Sequence, residues 1–115
     1  FDGEYLSYNA DGGLAVRGQY SDNVMTGVWR KYYKTPKDRV KEEVTFANNE
    51  EDGPFKEYHL NGKLSVEGNY SGGFMDGEIT MYDEVGKVLR KLMYQNGRQV
   101  GKQEFGQPDK APVIH

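Results

Sequence analysis

The chain has 115 residues, enough for one domain, and only 36% of them are hydrophobic against the roughly 45–50% usual for globular domains, so its core must be thin or shared. Fifteen basic and eighteen acidic residues are interspersed to a net charge of −3, which argues against nucleic acid as a partner and disfavours an anionic membrane. The absence of cysteine removes disulfide and thiolate chemistry and leaves cytoplasm and bacterial envelope equally open, and no apolar run approaches the roughly 20 residues that span a bilayer.

Fifteen Gly, nine Tyr, five Phe and one Trp favour strands and unusual backbone angles over helices. The chain opens on Phe1-Asp2-Gly3, which matches Met75-Asp76-Gly77 at the close of a later repeat, so the array is expected to continue upstream of Phe1. From Gly3 a strand carries Tyr5 and Tyr8 to a turn at Asp11-Gly12, and alternate positions then read Leu14, Val16, Gly18 and Tyr20 before a second turn at Asp22-Asn23. The same sentence restarts at Gly27 with Trp29 and Tyr32, is lengthened by Thr35-Pro36-Lys37-Asp38, and resumes as Val40, Glu42, Val44 and Phe46 before Asn48-Asn49. A third copy runs from Gly53 through Phe55, Tyr58, Asn61-Gly62, Leu64, Val66, Gly68 and Tyr70 to Gly72-Gly73. The fourth runs from Gly77 through Ile79, Tyr82, Val85-Gly86, Val88, Arg90, Leu92 and Tyr94 to Asn96-Gly97, and Gly101 to Gly106 opens a fifth.

The period is therefore 24 residues, stretched to 26 by the insertion. It divides the chain into repeats 3–26, 27–52, 53–76, 77–100 and a partial 101–106, one domain spanning 1–106 with a tail at 107–115. The Asn-Gly and Asp-Gly turns predict type I′ hairpins, and short connections throughout predict one elongated, twisted antiparallel meander of about eight to nine strands, an all-β fold. A two-residue turn at Asn61-Gly62 sets Phe55 opposite Gly68, Gly53 opposite Tyr70 and Lys56 opposite Glu67, and it carries Trp29 between Gly18 and Val44 and Ile79 between Gly68 and Leu92. An aromatic ring laid across a strand glycine recovers burial, so these glycines read as structural. One face should then gather Tyr5, Trp29, Phe55 and Ile79 with Leu14, Val40, Leu64, Val88, Tyr20, Phe46, Tyr70 and Tyr94. The other should hold the charged pairs with Tyr8, Tyr32, Tyr58 and Tyr82.

The pattern G-x-aromatic-x-x-Y-x-x-x-G-K-L-x-x-x-G-x-Y-x-x-G-x-x-x-G, clearest from Gly53 to Gly77, resembles the MORN-variant repeat of YwqK-type antitoxin-like proteins in bacteria. The resemblance covers residues 2 to 101. It implies a β-hairpin array that serves as a binding or scaffold element, with some members called antitoxins and eukaryotic relatives linked to membrane or protein attachment. This chain departs from the pattern at Val44 and Leu92, where other repeats carry Gly18 and Gly68, so its repeats are not interchangeable at a binding surface.

Chemistry has few parts to work with. Of the two histidines, His59 lies on a predicted strand and His115 at the terminus, and Glu50-Glu51-Asp52 lacks the alternating ligands of a calcium loop. No catalytic residue, cofactor site or metal site is expected, and an extended sheet offers no deep pocket for an enzyme. The expected function is protein interaction or scaffolding, with another protein or a second copy as partner, through Tyr5, Trp29, Phe55, Ile79, Tyr20, Phe46, Tyr70 and Tyr94. The alternative is attachment to a membrane or polysaccharide through Tyr8, Tyr32, Tyr58 and Tyr82.

Overall fold

The structure, a computed structural model, describes residues 2–34 and 39–105. The insertion at Thr35-Pro36-Lys37-Asp38 and the 107–115 tail lie outside the described residues. The strands are β1 (Gly3–Tyr8), β2 (Leu14–Ser21), β3 (Val24–Tyr32), β4 (Val40–Ala47), β5 (Glu50–Tyr58), β6 (Leu64–Ser71), β7 (Phe74–Met75), β8 (Gly77–Tyr82), β9 (Val88–Gln95) and β10 (Arg98–Glu104). All join one antiparallel sheet in sequence order, with β7 and β8 both pairing β6, so they act as one interrupted strand. Among the described residues there is no helix. The sheet is a single layer of 61 × 36 × 17 Å, and its 16.9 Å radius of gyration exceeds the roughly 13 Å of a compact 100-residue domain.

The second turn of each repeat is the primed kind. Asp22-Asn23, Asn48-Asn49, Gly72-Gly73 and Asn96-Gly97 all have positive φ at both central residues, the backbone whose twist suits a two-residue hairpin. These turns also stack on the preceding hairpin. The N–H groups of Asn49, Gly73 and Gly97 donate to the carbonyls of Met25, Glu51 and Met75 at 3.3, 2.8 and 2.9 Å.

The first turn departs from the type I′ expectation. Only Gly12, Gly62 and Gly86 have positive φ there, and their N–H groups donate to Asn9, His59 and Asp83, which close the loop again through Gly13, Lys63 and Lys87. That is a three-residue loop, a type I turn followed by a left-handed glycine. Asp11 and Asn61 precede the glycine because their side chains accept the N–H two residues on, at 3.0 and 2.8 Å. The loop offsets each hairpin by one residue, and a bulge restores it: Tyr58 opposes Leu64 but Glu57 opposes Val66, leaving Ser65 extra. The expected pairs Phe55–Gly68, Gly53–Tyr70 and Lys56–Glu67 therefore stand.

The bulge changes the faces. Directly opposed residues share a face, and the structure pairs Tyr8 with Leu14, Tyr32 with Val40, Tyr58 with Leu64 and Tyr82 with Val88. Leu14, Val40, Leu64 and Val88 thus leave the aromatic face for the tyrosine face, because the extra residue breaks the alternation that placed them.

At the first three junctions between repeats the register jumps by two, and at the β9–β10 junction by one. Gln19 opposes Thr26 while Arg17 opposes Arg30, so Gly18 meets the excursion Gly27-Val28-Trp29, and the same jump surrounds Gly53. Gly27, Gly53 and Gly77 sit in these excursions at φ +72°, +119° and +89°, where a side chain would be strained. That explains glycine at these three positions of the period, whereas Gly101 lies outside the positive-φ region. The core lies along the middle of the aromatic face: Trp29, Phe55, Ile79 and Leu92 are buried, with Val44, Val66, Tyr70, Met75, Met81 and Tyr94 packed around them.

Candidate functional site: the aromatic face

The rings of this face form two groups. Trp29 touches Tyr5, Tyr20 and Phe46 with centroids 5.5, 5.3 and 6.1 Å apart, and Phe55 meets Tyr70 at 4.8 Å. The Trp29 indole N–H donates to the Thr26 carbonyl at 3.2 Å, which fixes its tilt over Gly18. Phe55 and Ile79 are only 3% and 2% exposed, so these anchors hold the sheet and present little area to a partner. What remains accessible is the rim, made by Tyr5, Tyr20, Phe46, Tyr70 and Tyr94.

Two shallow grooves cross the face. One of about 240 Å³ is lined by Val16, Met25, Trp29, Lys31, Val44 and Phe46, together with Glu42 and Glu51. The other, about 160 Å³, is lined by Val66, Met75, Ile79, Met81, Leu92 and Tyr94, together with Phe55 and Glu57. The first six residues of each correspond one for one in the repeat. The same groove is built twice, two repeats apart. Sequence reasoning found the aromatic members and missed Met25 and Met75, although both stand two residues before a period glycine.

Between the grooves the same six positions read Glu42, Glu51, Phe55, Glu57, Gly68 and Tyr70. Three carboxylates replace the Val, Met and Lys or Met found on either side. Glu42 lies directly opposite Glu57, and Glu51 opposite Phe46. The charged pairs are expected on the other face, with Glu42 an exception in the alternation; the structure sets Glu51 and Glu57 beside it among the rings. Partial burial, then repulsion from Glu42, raises the Glu57 carboxyl above its ordinary range, with Lys41 offsetting part of this. Burial first, then the charges of Glu51, Glu42 and Glu57, raises the Tyr70 hydroxyl.

On the opposite face the tyrosines are tethered to their own sheet. Tyr58 donates to Glu43 at 3.0 Å, Tyr82 donates to Glu67, and Tyr32 bonds Arg17, each spanning fifteen residues back to the preceding hairpin. Tyr8 is 60% exposed. His59 Nε2 donates to the Tyr82 carbonyl at 3.0 Å, so it too serves as a clamp between hairpins. Around them run the ion pairs Arg17–Glu4 and Arg30–Glu43, both at 2.7 Å. Among the described residues no group of three or more His, Asp or Glu could hold a metal ion.

A single sheet of repeated hairpins, with burial only between neighbours, defines a tandem β-hairpin repeat protein. The family model of the MORN repeat variant matches residues 1–22, 51–71 and 75–96, more than half of the sequence, and the chain belongs to that family. The unmatched stretch between the first two segments holds the insertion and Val44. MORN repeats are in general protein- or membrane-binding modules. No curated protein matches the sequence.

Proposed function

We propose that this chain is a non-enzymatic binding module that takes a protein partner on its aromatic face, as a scaffold or as an antitoxin-like neutraliser. The observation that carries this reading is the groove repeated at Trp29 and Ile79 on equivalent residues, which offers two matched apolar seats on one surface. Tyr58 and Tyr82 on the opposite face are committed to hydrogen bonds within the sheet and only Tyr8 stands well exposed, which argues against attachment to a membrane or polysaccharide through that row. Both grooves are open to solvent, so neither excludes water from a carboxylate as acid–base catalysis would ask.

The test compares the two faces. Met25→Gln with Met75→Gln alters the grooves and keeps the buried residues themselves in place, although Met75 packs against them, so the variant's circular dichroism and unfolding midpoint are checked first, whereas Tyr8→Ser alters the exposed end of the tyrosine face. In cross-linking capture from the native host, partners held by the wild type should be retained by the Tyr8 variant and lost from the methionine variant. Loss from the Tyr8 variant alone would assign binding to the other face and overturn the reading.

A further inference from the structure

We infer that the aromatic face binds an extended protein segment with Lys or Arg between two apolar side chains, the cations over Glu42, Glu51 and Glu57 and the apolar groups in the two grooves. This rests on the aromatic face being the binding face. Its basis is the middle unit, where three groove positions carry carboxylates while both neighbouring units keep theirs apolar or basic. Like charges directly opposed across a strand pair are destabilising, yet Glu42 and Glu57 occupy such a pair. The ion pairs found among the described residues use Glu4, Glu43, Glu78 and Glu104, and none uses Glu42, Glu51 or Glu57. A partner's cation would relieve that repulsion on binding, and the rings of Phe46 and Tyr70 beside it suit the stem of a Lys or Arg.

The charge also discriminates between occupants. β5 is the middle strand of the sheet path and carries Glu51 and Glu57. A twofold dimer covering the whole face would lay β5 on β5, carboxylates against carboxylates. An anionic bilayer meets the same repulsion. A basic, apolar segment meets the three carboxylates and a single like charge, Lys31 opposite Glu42 in the first groove. Equivalent groove positions are four strands apart, or about 19 Å, which an extended chain spans in about six residues at roughly 3.3 Å each. Side chains at i, i+2, i+4 and i+6 then share one side, with the cations at the two inner positions.

The probe is the peptide Leu-Ser-Arg-Ser-Arg-Ser-Leu with blocked ends, set against versions with both Arg replaced by norleucine or by Glu. Each is titrated into the full chain and followed by the indole N–H resonance of Trp29, the one tryptophan. The Arg peptide should bind about tenfold more tightly than the norleucine peptide at low salt and the Glu peptide least. The preference should shrink to within twofold in the Glu42→Gln, Glu51→Gln, Glu57→Gln protein. Equal binding of the Arg and norleucine peptides would overturn the cationic preference and leave the aromatic-face reading standing. Shifts confined to Tyr8, Tyr58 and Tyr82 would overturn both. No response to any peptide, a dilution-dependent indole shift from self-association, or uptake of the chain onto phosphatidylserine vesicles would each overturn the inference.

Discussion

Replacing Gly18 by Ala sets two effects of opposite sign against each other. Gly18 lies in β2 outside the positive-φ region, so by backbone entropy alone Ala would stabilise the strand by about 0.5–1 kcal/mol. Its Cβ, however, would fall on the six-membered ring of Trp29 at Cδ2, Cε2 and Cε3. That ring cannot slide aside cheaply: Tyr5, Tyr20 and Phe46 flank it and its N–H is bonded to Thr26. Overpacking of this kind costs about 1–3 kcal/mol, and expelling the ring would forfeit its burial as well, so the clash wins. The expected net loss is about 2 kcal/mol, or a fall in Tm of roughly 8 °C at this chain length. Urea unfolding followed by both Trp29 fluorescence and far-ultraviolet circular dichroism measures it, and two probes are needed because repeat arrays can unfold in parts. Gly101→Ala is the control, since its Cβ would meet Met93 at an ordinary 3.4 Å, and it should stay within about 0.5 kcal/mol of wild type. In a Trp29→Leu background the Gly18→Ala penalty should largely vanish. A Gly18→Ala protein as stable as wild type would refute the placement of Trp29 across β2.

Glu57→Gln should stabilise the fold at pH 7 by a few tenths of a kcal/mol, because the carboxyl is partly solvated and screened. A carboxyl raised in the folded state loses its proton first in the unfolded chain, so the wild type forfeits stability as pH rises above the ordinary value near 4.5, and the difference from Gln should close below it. Tyr58→Phe should cost about 0.5–1.5 kcal/mol through the lost bond to Glu43, read by denaturant midpoint at constant m. Tyr58, raised first by burial, and Tyr82, raised first by its bond to Glu67, should ionise later than free tyrosine in a 295 nm titration. Stability should accordingly fall as pH climbs past the ordinary value of 10, where the unfolded chain releases these protons first. Gly62→Ala would bring its Cβ only to an ordinary 3.9 Å from the Arg39 guanidinium but stands at φ +91°, so it should cost about 1 kcal/mol, chiefly from backbone strain.

The tandem hairpins, the all-β meander and the pairing of Trp29, Phe55 and Ile79 with their small partners were legible in the residues. Gly, Asn and Asp recur where the chain must reverse, and alternation marks what lies between. The turn type was not legible, because Asn61-Gly62 suits both a two-residue primed turn and a three-residue loop ending on Gly62. Either choice yields the same pairing of Phe55 with Gly68, since the extra residue at Ser65 cancels the difference. The side chains nearest that bulge register it, which is why Leu64 and its equivalents changed face while Phe55 did not.

Local residue chemistry by itself thus determined where the chain turns, which stretches are strands and how far apart the repeats lie, because φ preference and alternation act within a few residues. Only the tertiary structure decided which side chains share a surface. Bulge positions and cross-strand neighbours arise when strands pair, and it is the pairing of β4 with β5 that brings Glu42 and Glu57 face to face between two apolar grooves.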